Sequence, residues 1–164
     1  MAEATYFVGV TSSTIGANKH HLTLMNSGGS GRLMRIYKIT ACGAPTAAVT
    51  GWKVPLHAFR MSTQPTGGTS LTLYNAATGQ GVVAATTAIG MTVPSNALTI
   101  ENSPFGVGSV SGEETGASES VNIYEFAITG MRPIEVASGS GVTIRQGVGT
   151  GSGALSISLY FTLV

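Results

Sequence analysis

From Leu155 to Leu163 the chain places an apolar residue at every second position: Leu155, Ile157, Leu159, Phe161 and Leu163, with Ser156, Ser158, Tyr160 and Thr162 between them. Successive side chains alternate sides only in extended backbone, so this period of two specifies a half-buried β-strand and not a helix. Upstream, Val142, Ile144 and Gln146 form a shorter strand, and the glycine-rich stretch GVGTGSG joins the two. The pair reads as a β-hairpin. A strand this apolar on one side must be covered, which ties it into the main sheet.

The remaining elements follow the same logic. Tyr6 to Val10 is a short apolar piece followed by the polar segment TSSTIGANK, so residues 1–19 read as an N-terminal arm or an edge strand. Residues 20–164 read as a single β-sandwich domain. Leu22 and Leu24 share one side of a strand that ends at the turn Ser27 to Gly31. The stretch 32–42, RLMRIYKITAC, is a long strand without clean alternation. Leu33, Tyr37 and Ile39 share a side with Arg35, and Met34 and Ile36 share the other with Lys38, which predicts apolar groups on both faces and a possible subunit contact. Trp52, Val54, Leu56 and Ala58 define an inward side, with Lys53, His57 and Phe59 opposite. Pro55 lacks a ladder donor and belongs at an edge or bulge. Short strands are expected near Leu71 to Leu73, Val82 to Ala85 and Leu98 to Ile100. The glycine-rich stretch at about 103–120, with Pro104 and three glutamates, reads as a long exposed loop. Val121 to Thr129 and Met131 to Val136 complete a set of about eight strands with no helix. The expected fold is all-β, a jelly-roll-like antiparallel β-sandwich.

Composition narrows the chemistry. Charged residues make up 9% of the chain, against about 25% in ordinary soluble domains. Hydrophobic content of 43% argues against disorder. A formal net charge of +1 leaves no electrostatic footprint for nucleic acid. No stretch approaches the roughly 18 apolar residues of a membrane span, and residues 1–7 lack the features of a secretory signal. We therefore expect a soluble protein synthesised in the cytoplasm. Cys42 is the one cysteine, so no intrachain disulfide forms. The chain has no aspartate, and its seven acids are all glutamates. Aspartate-rich calcium loops, aspartate-based triads and paired-aspartate dyads are thereby removed.

The candidate constellations weigh towards structural roles. His20 and His21 are adjacent in a strand and point to opposite faces, so with His57 they read as surface or interface histidines and not as a metal site. No G-x-S-x-G elbow accompanies the many serines, and the glycines at 147–153 precede a strand, not the helix a phosphate loop requires. No catalytic residue, cofactor or metal is expected. Trp52, Tyr74 and Tyr124 could line a sugar platform, but Trp52 lies on the inward side. The candidate protein-contact residues are Tyr6 and Phe7 in the arm, Arg35 and Lys38 on the two-faced strand, and Glu113 and Glu114 on the loop.

The stretches RLMRIYKITA, GWKVPLHAFRMSTQPTGGTSLT, MRPIEVASGSGVTIRQG and SGALSISLYFTLV, in that order, resemble small virion structural proteins of tailed bacteriophages. The similarity covers about residues 32–73 and 131–164. It implies a jelly-roll-like sandwich on the outside of a capsid or in the tail. The role we expect is a capsid decoration, or cement, protein bound to the major capsid protein as a homotrimer, located on the virion exterior, with no nucleic-acid or membrane partner. The alternatives are a receptor- or glycan-binding tail or fibre module, and a single-jelly-roll major capsid protein.

Overall fold

The computed structural model describes residues 5–45, 52–76, 78, 88–92, 96–112, 119–126, 132–149 and 152–164. Among these, the chain forms β1 (Thr5–Thr14), β2 (His20–Asn26), β3 (Met34–Pro45), β4 (Trp52–Met61), β5 (Ser70–Leu71), β6 (Leu73–Asn75), β7 (Ala88–Met91), β8 (Gly106–Gly112), β9 (Glu119–Glu125), β10 (Ile134–Val136), β11 (Gly141–Gln146) and β12 (Gly153–Leu163). They build two antiparallel sheets. Sheet A has the order β10-β3-β12-β1-β6, with β9 also paired to β3; sheet B has the order β5-β7-β2-β11-β4-β8. The fold is an all-β sandwich.

The long strands pair in a nested order. β4 pairs with β8, β3 with β9, β2 with β11 and β1 with β12. Each pair encloses the one before it in sequence, as in a two-stranded ribbon that has been rolled up. The alternation in β12 has the expected result: Leu155, Ile157, Leu159 and Phe161 are fully buried. They join Trp52, Val54 and Leu56 of β4, Leu22 and Leu24 of β2, and Val142 and Ile144 of β11 in one core between the sheets.

Three features depart from the sequence expectations. Residues 142–146 and 155–163 do not form a hairpin, because β11 lies in sheet B and β12 in sheet A. The glycine-rich link first follows β4, with Gly147 N donating to Pro55 O at 2.9 Å, and then crosses between sheets. Residues 5–14 are not a free arm, since β1 pairs with β12 along its length and with β6 from Tyr6 to Val8. Most of the described part of the 103–120 stretch is strand: residues 106–112 form β8 on β4, and β9 begins at Glu119. Its glycines suit close packing and not a loop. A Cβ at Gly106 would lie 2.7 Å from the Ile123 carbonyl oxygen of β9.

A bulge also corrects the two-faced reading of β3. Lys38 pairs with Tyr160 and Ile36 with Phe161, so Tyr37 is an extra residue and the parity resets there. Met34, Ile36, Ile39 and Ala41 all point inward, while Arg35 and Lys38 share the outer face. Pro55 sits inside the sheet, one residue past the last β11 pair, so its missing donor falls where that ladder has ended. The candidate strand at Val82 to Ala85 lies outside the described residues.

The sheets approach closely at Gly43 of β3. A Cβ there would lie 2.3 Å from Trp52 Cη2 and 2.6 Å from Val110 Cγ1. Gly43→Ala should therefore destabilise the fold by about 2 kcal/mol through overpacking. In a Trp52→Phe background, which removes the clashing ring, urea denaturation should show a smaller loss for the same change.

Candidate functional site

The outer face of sheet A combines side chains from five strands. Register places Tyr74 of β6, Phe7 of β1, Tyr160 of β12, Lys38 of β3 and Glu125 of β9 in one row. Phe7 stacks on Tyr74 with ring centroids 5.3 Å apart, and it meets Tyr160 at 5.9 Å. Directly opposed residues on neighbouring strands are the natural contact pairs of a sheet, so the row follows from the backbone pairing itself. Tyr74 is 37% exposed.

The charges on this face are neutralised locally. Lys38 Nζ lies 2.9 Å from Glu125 Oε1, whose other carboxylate oxygen accepts from Asn122 Nδ2. Arg35 Nε lies 3.2 Å from Glu135 Oε1, an arrangement set by the Arg35↔Glu135 pairing of β3 with β10. These are exposed pairs, each contributing at most about 1 kcal/mol. Their larger effect is to present an aromatic surface bordered by balanced charge. Beside them Tyr37 meets Phe126 edge to face at 5.8 Å, in a shallow cleft of about 270 Å³ that also includes Arg132 and Pro133.

The sequence candidates divide accordingly. Phe7, Arg35 and Lys38 share the outer face of sheet A. Tyr6 points the other way, 5.7 Å from the buried ring of Phe161. Glu113 and Glu114 lie outside the described residues. Of the two tyrosines that complete the aromatic row, Tyr74 enters the sequence reading only with Trp52 and Tyr124 as a sugar platform, and Tyr160 is not among the sequence candidates. Tyr160 sits on the polar side of the best-patterned strand, and an aromatic at that position is the signal that identifies it.

The outer side of sheet B is covered at its centre. Thr23, Thr143 and Phe59 align across three strands on that side, and all are buried, as are Met25 and Met61. Among the described residues, large apolar side chains are exposed on this side towards one end, at Val107 and Val148. At the other end of the sandwich, a cleft of about 410 Å³ lies between Leu33, Arg60, Met61, Ile100, Glu101 and Glu135. The Arg60 guanidinium donates to the Glu135 carbonyl. With the Glu135 carboxylate paired to Arg35, Arg60 and Glu101 balance in charge, and the cleft favours no sign of ligand.

The remaining constellations stay apart. Trp52 is buried in the core, Tyr124 is nearly so, and Tyr74 is on the surface, so they form no common platform. Among the described residues no three His, Cys, Asp or Glu side chains gather as a metal site would require. His21 is not a surface or interface residue but fully buried, because a bulge in β2 turns it inward. No family model, curated protein or solved structure matches this chain.

The two faces of β1 predict a clear contrast. Phe7→Ala should cost about 1 kcal/mol or less, since its ring lies on the open face. Tyr6→Ala should cost about 2 kcal/mol or more, because it removes a ring packed on the core. Urea midpoints of the two variants test this, and equal losses would contradict the assigned facing.

Proposed function

We propose that this protein is a virion structural protein that decorates a capsid, docking on the outside of the major capsid shell through the outer face of sheet A. The observation that carries this reading is the asymmetry between the faces: sheet B is covered at its centre, while sheet A presents an in-register aromatic row bordered by neutralised charge. A surface with few unpaired charges and aromatic anchors suits contact with protein. The nested ladders support a finer reading of the sandwich as a jelly roll, in which eight long strands form two wrapped Greek keys.

In this role the protein binds the assembled shell and not its free subunits, and so stabilises the shell by mass action. A homotrimer at threefold junctions gives matching symmetry. The aromatic row does not suit the alternative of glycan recognition. Phe7 lies between Tyr74 and Tyr160, so its ring is engaged by its neighbours and does not stand as a free platform. The nested ladders also favour a second reading, a single-jelly-roll shell subunit.

Purified protein should be a trimer by sedimentation. Added to shells of the virus that encodes it, prepared without this protein, it should co-sediment and raise their disruption temperature. The double variant Phe7→Ala, Lys38→Glu should remain folded and lose at least tenfold in binding. Absence of binding to the shells overturns the decoration role, and assembly into closed particles without another protein identifies the shell-subunit reading.

A further inference from the structure

Two bulges bring together three side chains that the sequence parity would keep apart. In β1 the register slips between Val10 and Ser13, which turns Ser13 inward opposite Leu155. In β2 the pairs Leu22↔Ile144 and His20↔Arg145 leave His21 as the extra residue, also turned inward. Bulges commonly re-aim a side chain in this way. The result is a hydrogen-bonded chain from sheet A to sheet B. Ser13 Oγ lies 2.7 Å from His21 Nδ1, and His21 Nε2 lies 3.0 Å from Gln146 Oε1.

The proton positions follow from one backbone donor. Gly16 N–H donates to Gln146 Oε1 at 2.9 Å, which identifies that atom as the amide oxygen, an acceptor only. His21 Nε2 therefore carries the proton and donates to Gln146, Nδ1 accepts, and Ser13 Oγ–H donates. His21 is fully buried and Ser13 is 8% exposed. A serine hydroxyl so enclosed cannot meet a substrate, so the chain of groups is not a nucleophilic site.

It helps to hold the end of β1 and its connection to β2, where the strand pairing is thin. β6 covers β1 only from Tyr6 to Val8. Past the bulge, β1 keeps two pairs with β12, Ser13↔Leu155 and Thr14↔Ala154, followed by Ile15 N donating to Gly153 O. Ser12 and Asn18 sit at φ 55° and 60°, a region unfavourable to residues with a side chain. The connection is otherwise tied by the Gln146 N–H, which donates to Lys19 O at 2.8 Å, by Ile15 packed on the core, and by two cationic side chains, Lys19 Nζ on Thr14 O and Arg145 on Asn18.

We propose that Ser13, His21 and Gln146 form an acid-sensitive latch, and that protonation of the His21 imidazole frees the β1–β2 connection while the rest of the sandwich stays folded. Among the described residues, the charged groups that act on the ring are basic. Lys19 and His20 adjoin it on the connection and on β2, β11 supplies Arg145 beside His20, and β1 supplies only hydroxyls. An imidazolium buried there would have no carboxylate partner among the described residues. Burial pushes His21 down to about 4, against an ordinary value of 6.5, with the hydrogen bond to Gln146 opposing it and Lys19 and His20 adding to it, and burial also lowers His20, reinforced by Arg145.

The sign follows directly. The unfolded or released segment takes up its proton near 6.5 and the latched one near 4, so the latch is at full strength above 6.5 and weakens as pH falls towards 4. NMR of the full chain from pH 7.5 to 3.5 should show the His21 ring titrating near pH 4. The protection factors of the Ile15, Gly16 and Gln146 amides should fall at least tenfold between pH 6.5 and 4 and level off below that, while Ile157 and Leu159 stay protected. Gln146→Glu, which places a carboxylate against Nε2, should raise the ring's midpoint by a unit or more and keep the segment protected at pH 4. Titration of His21 near 6.5 overturns the proposal, as does loss of protection throughout the sandwich at once. Opening of Gln146→Glu at the wild-type pH would assign the transition to another group and also overturn it. Should that variant not fold, the wild-type titration and exchange decide the matter alone.

Discussion

The whole arrangement depends on β12 lying between β3 and β1. Both its edges are used, by eleven residue pairs with β3 and by the ladder with β1. Its inward side chains, from Leu155 to Phe161, are fully buried. Period-two burial makes the register unforgiving: a one-residue slip would send four large apolar groups to solvent and Ser156, Ser158 and Tyr160 into the core. Full burial of one such side chain contributes about 1.5–3 kcal/mol, so with four of them the slipped state loses an amount comparable to the whole stability of a typical domain, about 5–15 kcal/mol. With β12 fixed, the outer row Phe7, Tyr160 and Lys38 is fixed as well, because each neighbour is aligned through it.

How far the sequence revealed the fold depends on how directly burial follows position. In β12 and β4 the alternation is uninterrupted, and both the strands and their inward faces were legible. In β3 the extra residue Tyr37 resets the parity, so a count continued through it assigns apolar groups to both faces. β8 shows a different difficulty. Its sequence GVGSVSG has the composition of a loop, and the reason for its glycines lies in the close backbone of β9, which is distant information. The hairpin expected at 142–163 failed because a short link between two strands does not reveal which sheet each will join.

The candidate face was legible in part for the same reason. Phe7, Arg35 and Lys38 were visible as unusual residues on strands, but their meeting on one face required the bulge in β3 and the position of β1 inside the sheet. Tyr6 was grouped with Phe7 although adjacent strand residues must diverge, and here they do. The Ser13, His21 and Gln146 chain was not legible at all. It needs a bulge in each of two strands from different sheets, and nothing in TSST or KHHL marks where an extra residue will sit.

The bulge in β1 has a further consequence. Beyond Val8 the outer edge of β1 has no strand beside it among the described residues. A straight edge of that kind is a template on which another chain can add a strand, and association through it would be unspecific and open-ended. The bulge and the left-handed Ser12 break the regular spacing of donors and acceptors over this stretch. The irregularity that turns Ser13 inward thus also blunts the edge. In the proposed role, copies of the protein can then associate through their faces without also polymerising through their strands.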